Sequence, residues 1–271
     1  MASSRESIAS TRKIKLSQIA LPTEHGSWGF LLEPLVAALA IAFSSGGFWI
    51  SIMVIGAFLA RRPLQVFISQ RKAPTGEMRS AALRFVVLFS LVAATGLVGA
   101  LLTSSLAVLI PLATALPVAV FQLYIESTTR GRQLIAELSG AVIMPASAAS
   151  IILAGGESWP FAIAVWFFFA ARFVPSILYI RNRLNLEKGK ASSMILPAVA
   201  HVTALIAVSL IAFAGHLPML VIPAFALLLA RSVYGLSRYR KRVKAMKIGV
   251  AEVVYGLIVV VSFVVGYVFS I

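Results

Sequence analysis

Apolar residues run in blocks of about 20 from residue 26 to the end, the length an α-helix needs to cross a bilayer. The blocks predict spans over 26–43, 48–70, 81–102, 104–125, 131–154, 159–182, 192–214, 217–236 and 247–270. The first block is short, and Pro22 is a fit first-turn residue for a helix starting there, because a missing N–H costs nothing at that position. The chain is therefore read as an all-α polytopic membrane protein of nine helices. A basic tail over 1–21 precedes a single transmembrane domain over 22–271. A cleaved signal peptide is not expected, because the apolar run after the tail contains Glu33-Pro34 and no small-residue cleavage pattern.

The connections alternate in charge. Those near Ser44–Gly47, Thr103–Ser105, Gly155–Ser158 and Gly215–Leu217 contain no Lys or Arg. The others hold Arg71, Lys72 and Arg79; Arg130 and Arg132; Arg181, Arg183, Lys188 and Lys190; and Arg238-Tyr-Arg-Lys-Arg-Val-Lys244. By the positive-inside rule the N-terminus is expected in the cytoplasm, the C-terminus outside, and the protein in the plasma membrane. The run at 237–247 reads first as a topology determinant against anionic lipid, and second as a headgroup or acidic-partner site.

Composition fits this picture: 60% hydrophobic and 12% charged, against about 25% charged in soluble domains. The net charge of +15 follows topology and does not point to nucleic acid. Cys and Asp are both absent, all nine acids are Glu, and only His25, His201 and His216 remain as histidines. Thiolate chemistry and a Cys/His metal site are excluded, and no cofactor is expected. Loops for ATP or dinucleotides, zinc-helix motifs and nucleophile elbows are missing as well.

Charge inside the spans carries the candidate chemistry, since an intramembrane ionisable group is costly and defaults to a functional hypothesis. Arg61 and Arg62, Arg172, and Arg231 each follow some 12 apolar residues, which places them roughly 18–20 Å into their helices. Glu33, Glu137 and Glu252 fall in the same layer from helices running the other way, with His201 slightly deeper. Four arginines thus face three glutamates. At helical spacing Arg61 shares a face with Gln65 and Ser69, Arg172 with Ser176, Tyr179 and Arg183, and Arg231 with Tyr234 and Arg238. Planar guanidinium forks suit phosphate, diphosphate or carboxylate. The binding set is read as Arg61, Arg62, Gln65, Arg172, Ser176, Tyr179 and Arg231. Glu33, Glu137 and His25 are candidate proton-transfer groups, and Pro34, Pro63, Pro145 and Pro175 are expected to interrupt helices beside a cavity. Arg–Glu pairs that only pin helices together are the competing reading.

The opening Pro22-Thr-Glu-His-Gly-Ser-Trp-Gly-Phe-Leu-Leu-Glu-Pro34 resembles the signature of the YwiC-like membrane protein family, with Ser27 in place of an alanine. The aromatic span and basic end over 166–183 look similar too. A more distant resemblance is to the UbiA prenyltransferase superfamily, whose first span often reads K-P-I-G-T-W-L-L-L-W-P, similar to Gly26, Trp28 and Pro34 here. That resemblance implies a nine-helix bundle with a cytoplasmic N-terminus and a lipid pocket. It also implies two aspartate-rich motifs holding Mg²⁺, at positions that correspond to 60–70 and 171–181. This chain puts arginines there, so metal-dependent prenyl transfer is not expected.

The function expected is a cytoplasm-facing intramembrane arginine cavity that binds an anionic amphiphile such as a phosphorylated isoprenoid, in a divergent UbiA-like transferase or a binder. A transporter of a small anionic metabolite and a non-catalytic assembly or scaffold protein are the alternatives. Membrane lipids are the expected partners.

Overall fold

The computed structural model describes residues 19–21, 25–69, 77–129 and 133–271, with the backbone alone for 25–27. The start expected at Pro22 lies outside these residues, and the first described helix, α1, is His25–Ile41. It is followed by α2 (Ser45–Ser69), α3 (Glu77–Thr103), a 3₁₀ turn at Leu106–Leu109 and α4 (Ile110–Thr128). Next come α5 (Leu134–Ile143), α6 (Pro145–Ala154), α7 (Trp159–Glu187), α8 (Ile195–Phe213), α9 (Val221–Leu236) and α10 (Ala245–Phe269). Helices α5 and α6 are two halves of one segment that breaks at Met144, because Pro145 has no N–H to continue the ladder. Among the described residues seven segments are long and apolar enough to cross a membrane, and α9 and the described part of α1 are shorter apolar helices. This is a multi-pass membrane protein.

The other three prolines do not behave as expected. Pro34, Pro63 and Pro175 lie inside α1, α2 and α7, and the helices run through them. Packing neighbours and the cost of unmade hydrogen bonds in lipid hold the helical path.

Successive helices pack as neighbours except α3 and α4, and α1 closes the bundle against α10. The closest pairing joins α2 to α3. A Cβ at Gly56 or Gly96 would overlap the backbone at Ala93 or Met53, and one at Gly99 would overlap the Trp49 ring. Lipid is as apolar as a leucine surface, so helices associate through such close van der Waals contact. Helix α3 otherwise faces lipid, whereas α7 and the α5–α6 segment are mostly buried.

The core centres on α7. Phe168, Phe169 and Phe173 are fully buried and meet Phe263 of α10 and Phe30 of α1, with the Phe168 and Phe263 rings 5.0 Å apart and those of Phe30 and Phe173 4.6 Å apart. Phe173 follows Arg172 along α7, whereas the Phe168, Phe169 and Phe263 rings lie on its other side, away from the basic connections. Arg172 sits directly past them and is 1% exposed. Helix α7 extends beyond the expected end at 182 to Glu187, then turns at Gly189, whose φ of 71° suits a residue without a Cβ.

Candidate functional site

Arg172 is brought to the bundle axis because α7 is the buried helix, and α1 and α10 bring carboxylates to it. Its Nε lies 3.6 Å from Glu33 Oε2, and its Nη1 lies 3.9 Å from Glu252 Oε2. Both separations exceed hydrogen-bonding reach. Its hydrogen bonds go instead to the Ser176 hydroxyl, one turn on, and to the Glu252 carbonyl oxygen at 3.3 Å. Glu33 finds its space against Gly256 of α10, where a Cβ would overlap the carboxylate.

Arg231 lies behind this layer on α9. Its Nη1 donates to both carboxylate oxygens of Glu252 at 2.6 Å. Its Nη2 is 3.4 Å from Ser176 Oγ and 3.4 Å from His201 Nε2. The Tyr179 and Tyr255 rings cover the guanidinium at 4.4 and 5.0 Å. Gly235 leaves the room that Tyr179 occupies.

A third group forms between α2 and α4. Arg61 makes a two-point fork to Glu126, Nε to Oε2 at 2.9 Å and Nη2 to Oε1 at 2.5 Å. Gln122 donates to the same carboxylate at 3.1 Å, and Gln65 donates to the Glu126 carbonyl at 2.9 Å. Arg62 turns aside, its Nη1 donating to Gln65 Oε1 at 2.8 Å. On α5, Glu137 pairs with Arg181 of α7 at 3.0 Å.

A cavity of about 400 Å³ lies between these groups and reaches the basic end of the bundle. Arg61, Arg172, Arg181 and Lys188 line it, together with Glu33, Glu137 and Glu252. Phe30, Phe58, Ile177, Ile180, Ile248 and Val253 supply apolar wall. Of the expected binding residues, Arg61 and Arg172 are on this wall. Ser176 touches Arg172 and Arg231 from behind; Arg62, Gln65, Tyr179 and Arg231 are outside the lining. Glu33 and Glu137 are on the wall, and the His25 side chain lies outside the described residues. Tyr234, expected to share the face of Arg231, is exposed instead.

The sequence reading missed Glu126, Gln122, Arg181 and Lys188 as site residues. Glu126 falls one residue past the expected end of its span. Arg181 and Lys188 read as loop cations, because the apolar pattern stops before α7 does. An acid one helical turn from Gln122, opposite an arginine that needs a partner, is the signal that finds Glu126.

The magnesium site implied by the UbiA resemblance does not fit these residues. Arginines occupy the two stretches where carboxylates would hold the ion, and Glu33, Glu126, Glu137 and Glu252 each lie within ion-pair distance of a guanidinium. Among the described residues no three His, Cys, Asp or Glu side chains are grouped to bind a metal. A hard divalent cation wants oxygen ligands, not surrounding cations.

The YwiC-like protein family model matches residues 21–154, just under half of the chain. No curated protein matches it. Among solved structures, the fold is similar to that of digeranylgeranylglyceryl phosphate synthase in membranes, a UbiA-type prenyltransferase. The TM-score is 0.63 at 14% identity, covering 90% of this chain and 93% of the other. At that identity the likeness is one of fold. Both expected resemblances are borne out: the YwiC-like family model matches residues 21–154, and the helical bundle is UbiA-like in fold.

Proposed function

We propose that the protein binds an anionic amphiphile, with a phosphorylated isoprenoid as the type case, in the arginine-lined cavity at the cytoplasmic end of the bundle. The observation that carries this reading is a cavity of about 400 Å³ whose wall combines Arg61, Arg172, Arg181 and Lys188 with large apolar side chains. The cations suit the headgroup and the apolar wall suits a chain. The fold match to a protein named for a lipid phosphate product supports the same ligand class. Wall charges number four cations and three carboxylates, a surplus of one, which suits a phosphate monoester or carboxylate without a metal. If the protein also transfers a group, Glu33 and Glu137 are the wall residues able to accept a proton beside the headgroup.

The packed rings of Phe168, Phe169 and Phe263 fill the bundle beyond Arg172. That plug supports a pocket open at one end over a through path for a transported anion.

The test is titration of the purified full-length protein in detergent, without divalent cations, using geranylgeranyl phosphate and geranylgeraniol. The reading expects the phosphate ester to bind at least about tenfold more tightly than the alcohol, a difference of about 1.4 kcal/mol. It also expects Arg172→Ala to remove that preference. Equal affinity for both compounds, or a preference untouched in Arg172→Ala, overturns it.

A further inference from the structure

Glu252 faces two guanidiniums and is shared unequally. Both its oxygens are 2.6 Å from Arg231, while Arg172 approaches it no closer than 3.9 Å. Arg172 Nε has no hydrogen-bond partner, nor has Glu33 Oε2, which faces it at 3.6 Å. Arginine carries five N–H donors in a fixed plane. Arg231 directs its donors to Glu252, Ser176 and His201, lies between two tyrosine rings, and is absent from the cavity wall. Arg172 is on the wall, with its carboxylates held beyond hydrogen-bonding reach. The Nε of each guanidinium lacks a partner, but Arg231 alone is hydrogen-bonded to a carboxylate and Arg172 alone is on the cavity wall.

We propose that Arg231 is a positioning residue that takes Glu252 as its own counter-ion and so keeps Arg172 available to an anionic headgroup. The proposal rests on the anion-binding reading above and adds a mechanism to it. Without Arg231, Glu252 has one arginine left to pair with, and an incoming anion must compete with a covalently tethered carboxylate. The Arg231–Glu252 pair thus sets the affinity of a site that Arg231 does not touch.

The logic is one of charge pairing, so a double variant separates it from plain loss of packing. Arg231→Gln removes the competitor for Glu252. Arg231→Gln with Glu252→Gln removes both charges and restores the original balance around Arg172. Glu252→Gln alone leaves Arg172 with Glu33 only. The affinity of each full-length variant for geranylgeranyl phosphate is measured in detergent, without divalent cations. Arg231→Gln is expected to weaken binding about tenfold, and the double variant to recover to within about threefold of the parent protein. Glu252→Gln alone is expected to tighten it.

A purely structural role gives the reverse order, because the double variant removes more native contacts than the single one. A folded Arg231→Gln that binds like the parent, or a double variant as weak as the single, overturns the proposal. If Arg231→Gln does not fold, Glu252→Gln decides alone, with unchanged or weaker binding counting against the lock. Failure of the parent protein to bind the phosphate ester overturns the anion-binding reading itself, and the lock falls with it.

Discussion

Two arginine groups in this bundle use the same residue types and reach opposite outcomes. Between α2 and α4, Arg61 and Glu126 meet as a complete fork, and Gln122 and Gln65 satisfy the same carboxylate and its backbone. Between α1, α7, α9 and α10, two arginines share Glu33 and Glu252, and only Arg231 is matched at hydrogen-bond distance. The first group behaves as a clasp between helices. The second keeps unused hydrogen-bonding capacity in a place where leaving it unused is costly. A charged layer in a membrane protein is thus not one feature with one explanation. The pairing geometry, more than the presence of the charges, separates the fastener from the site.

The comparison breaks most sharply at Arg172. Arg172→Met removes the buried cation between two partly buried carboxylates and is expected to destabilise the protein by about 3 kcal/mol. Adding Glu33→Gln should recover much of that loss, as read from thermal unfolding in detergent. A stable single variant would mean that water already compensates the layer.

Gly96→Ala comes next, because its new Cβ meets the Met53 backbone and must push α2 from α3. A cost of about 2 kcal/mol in unfolding is expected, with amphiphile affinity unchanged since α3 contributes nothing to the cavity wall. A large loss of binding there would show that the α2–α3 pair tunes the site after all.

Glu126→Gln sharpens the contrast from the clasp side. It releases Arg61, which already lines the cavity, and should strengthen phosphate-ester binding about fivefold, near 1 kcal/mol. No gain would place Arg61 out of reach of the headgroup.

The smallest effect belongs to Tyr267→Phe, at the opposite end of the bundle. The Tyr267 hydroxyl donates to Glu157 at 2.6 Å. Its loss should cost about 0.5 kcal/mol in stability and leave binding untouched.

Much of the architecture was legible because each signal was local. Apolar run length marked every segment, and the absence of Lys and Arg from alternate connections marked one end of the bundle. The depth of Arg172, Arg231, Glu33 and Glu252 within their helices followed from rise per residue, and the structure brings these four together. The pairings were not legible, because they depend on which helix faces which. Glu137 shares the layer yet pairs with Arg181 rather than Arg172. Arg61 and Arg62 are adjacent in sequence, but helical rotation sends one to Glu126 and the cavity and the other to Gln65. Met144–Pro145 looked like three other proline sites, and only there does the helix break.

The shortness of α9 has a consequence for the surrounding bilayer. With 16 residues it spans about 24 Å, against about 43 Å for the 29 residues of α7. A typical hydrocarbon slab is about 30 Å thick, so lipid beside this helix must thin or tilt its tails to match it. This helix carries Arg231. Its end at Leu236 lies five residues past Arg231, about 8 Å along the axis, so a thinned leaflet brings headgroup water close to the charged layer.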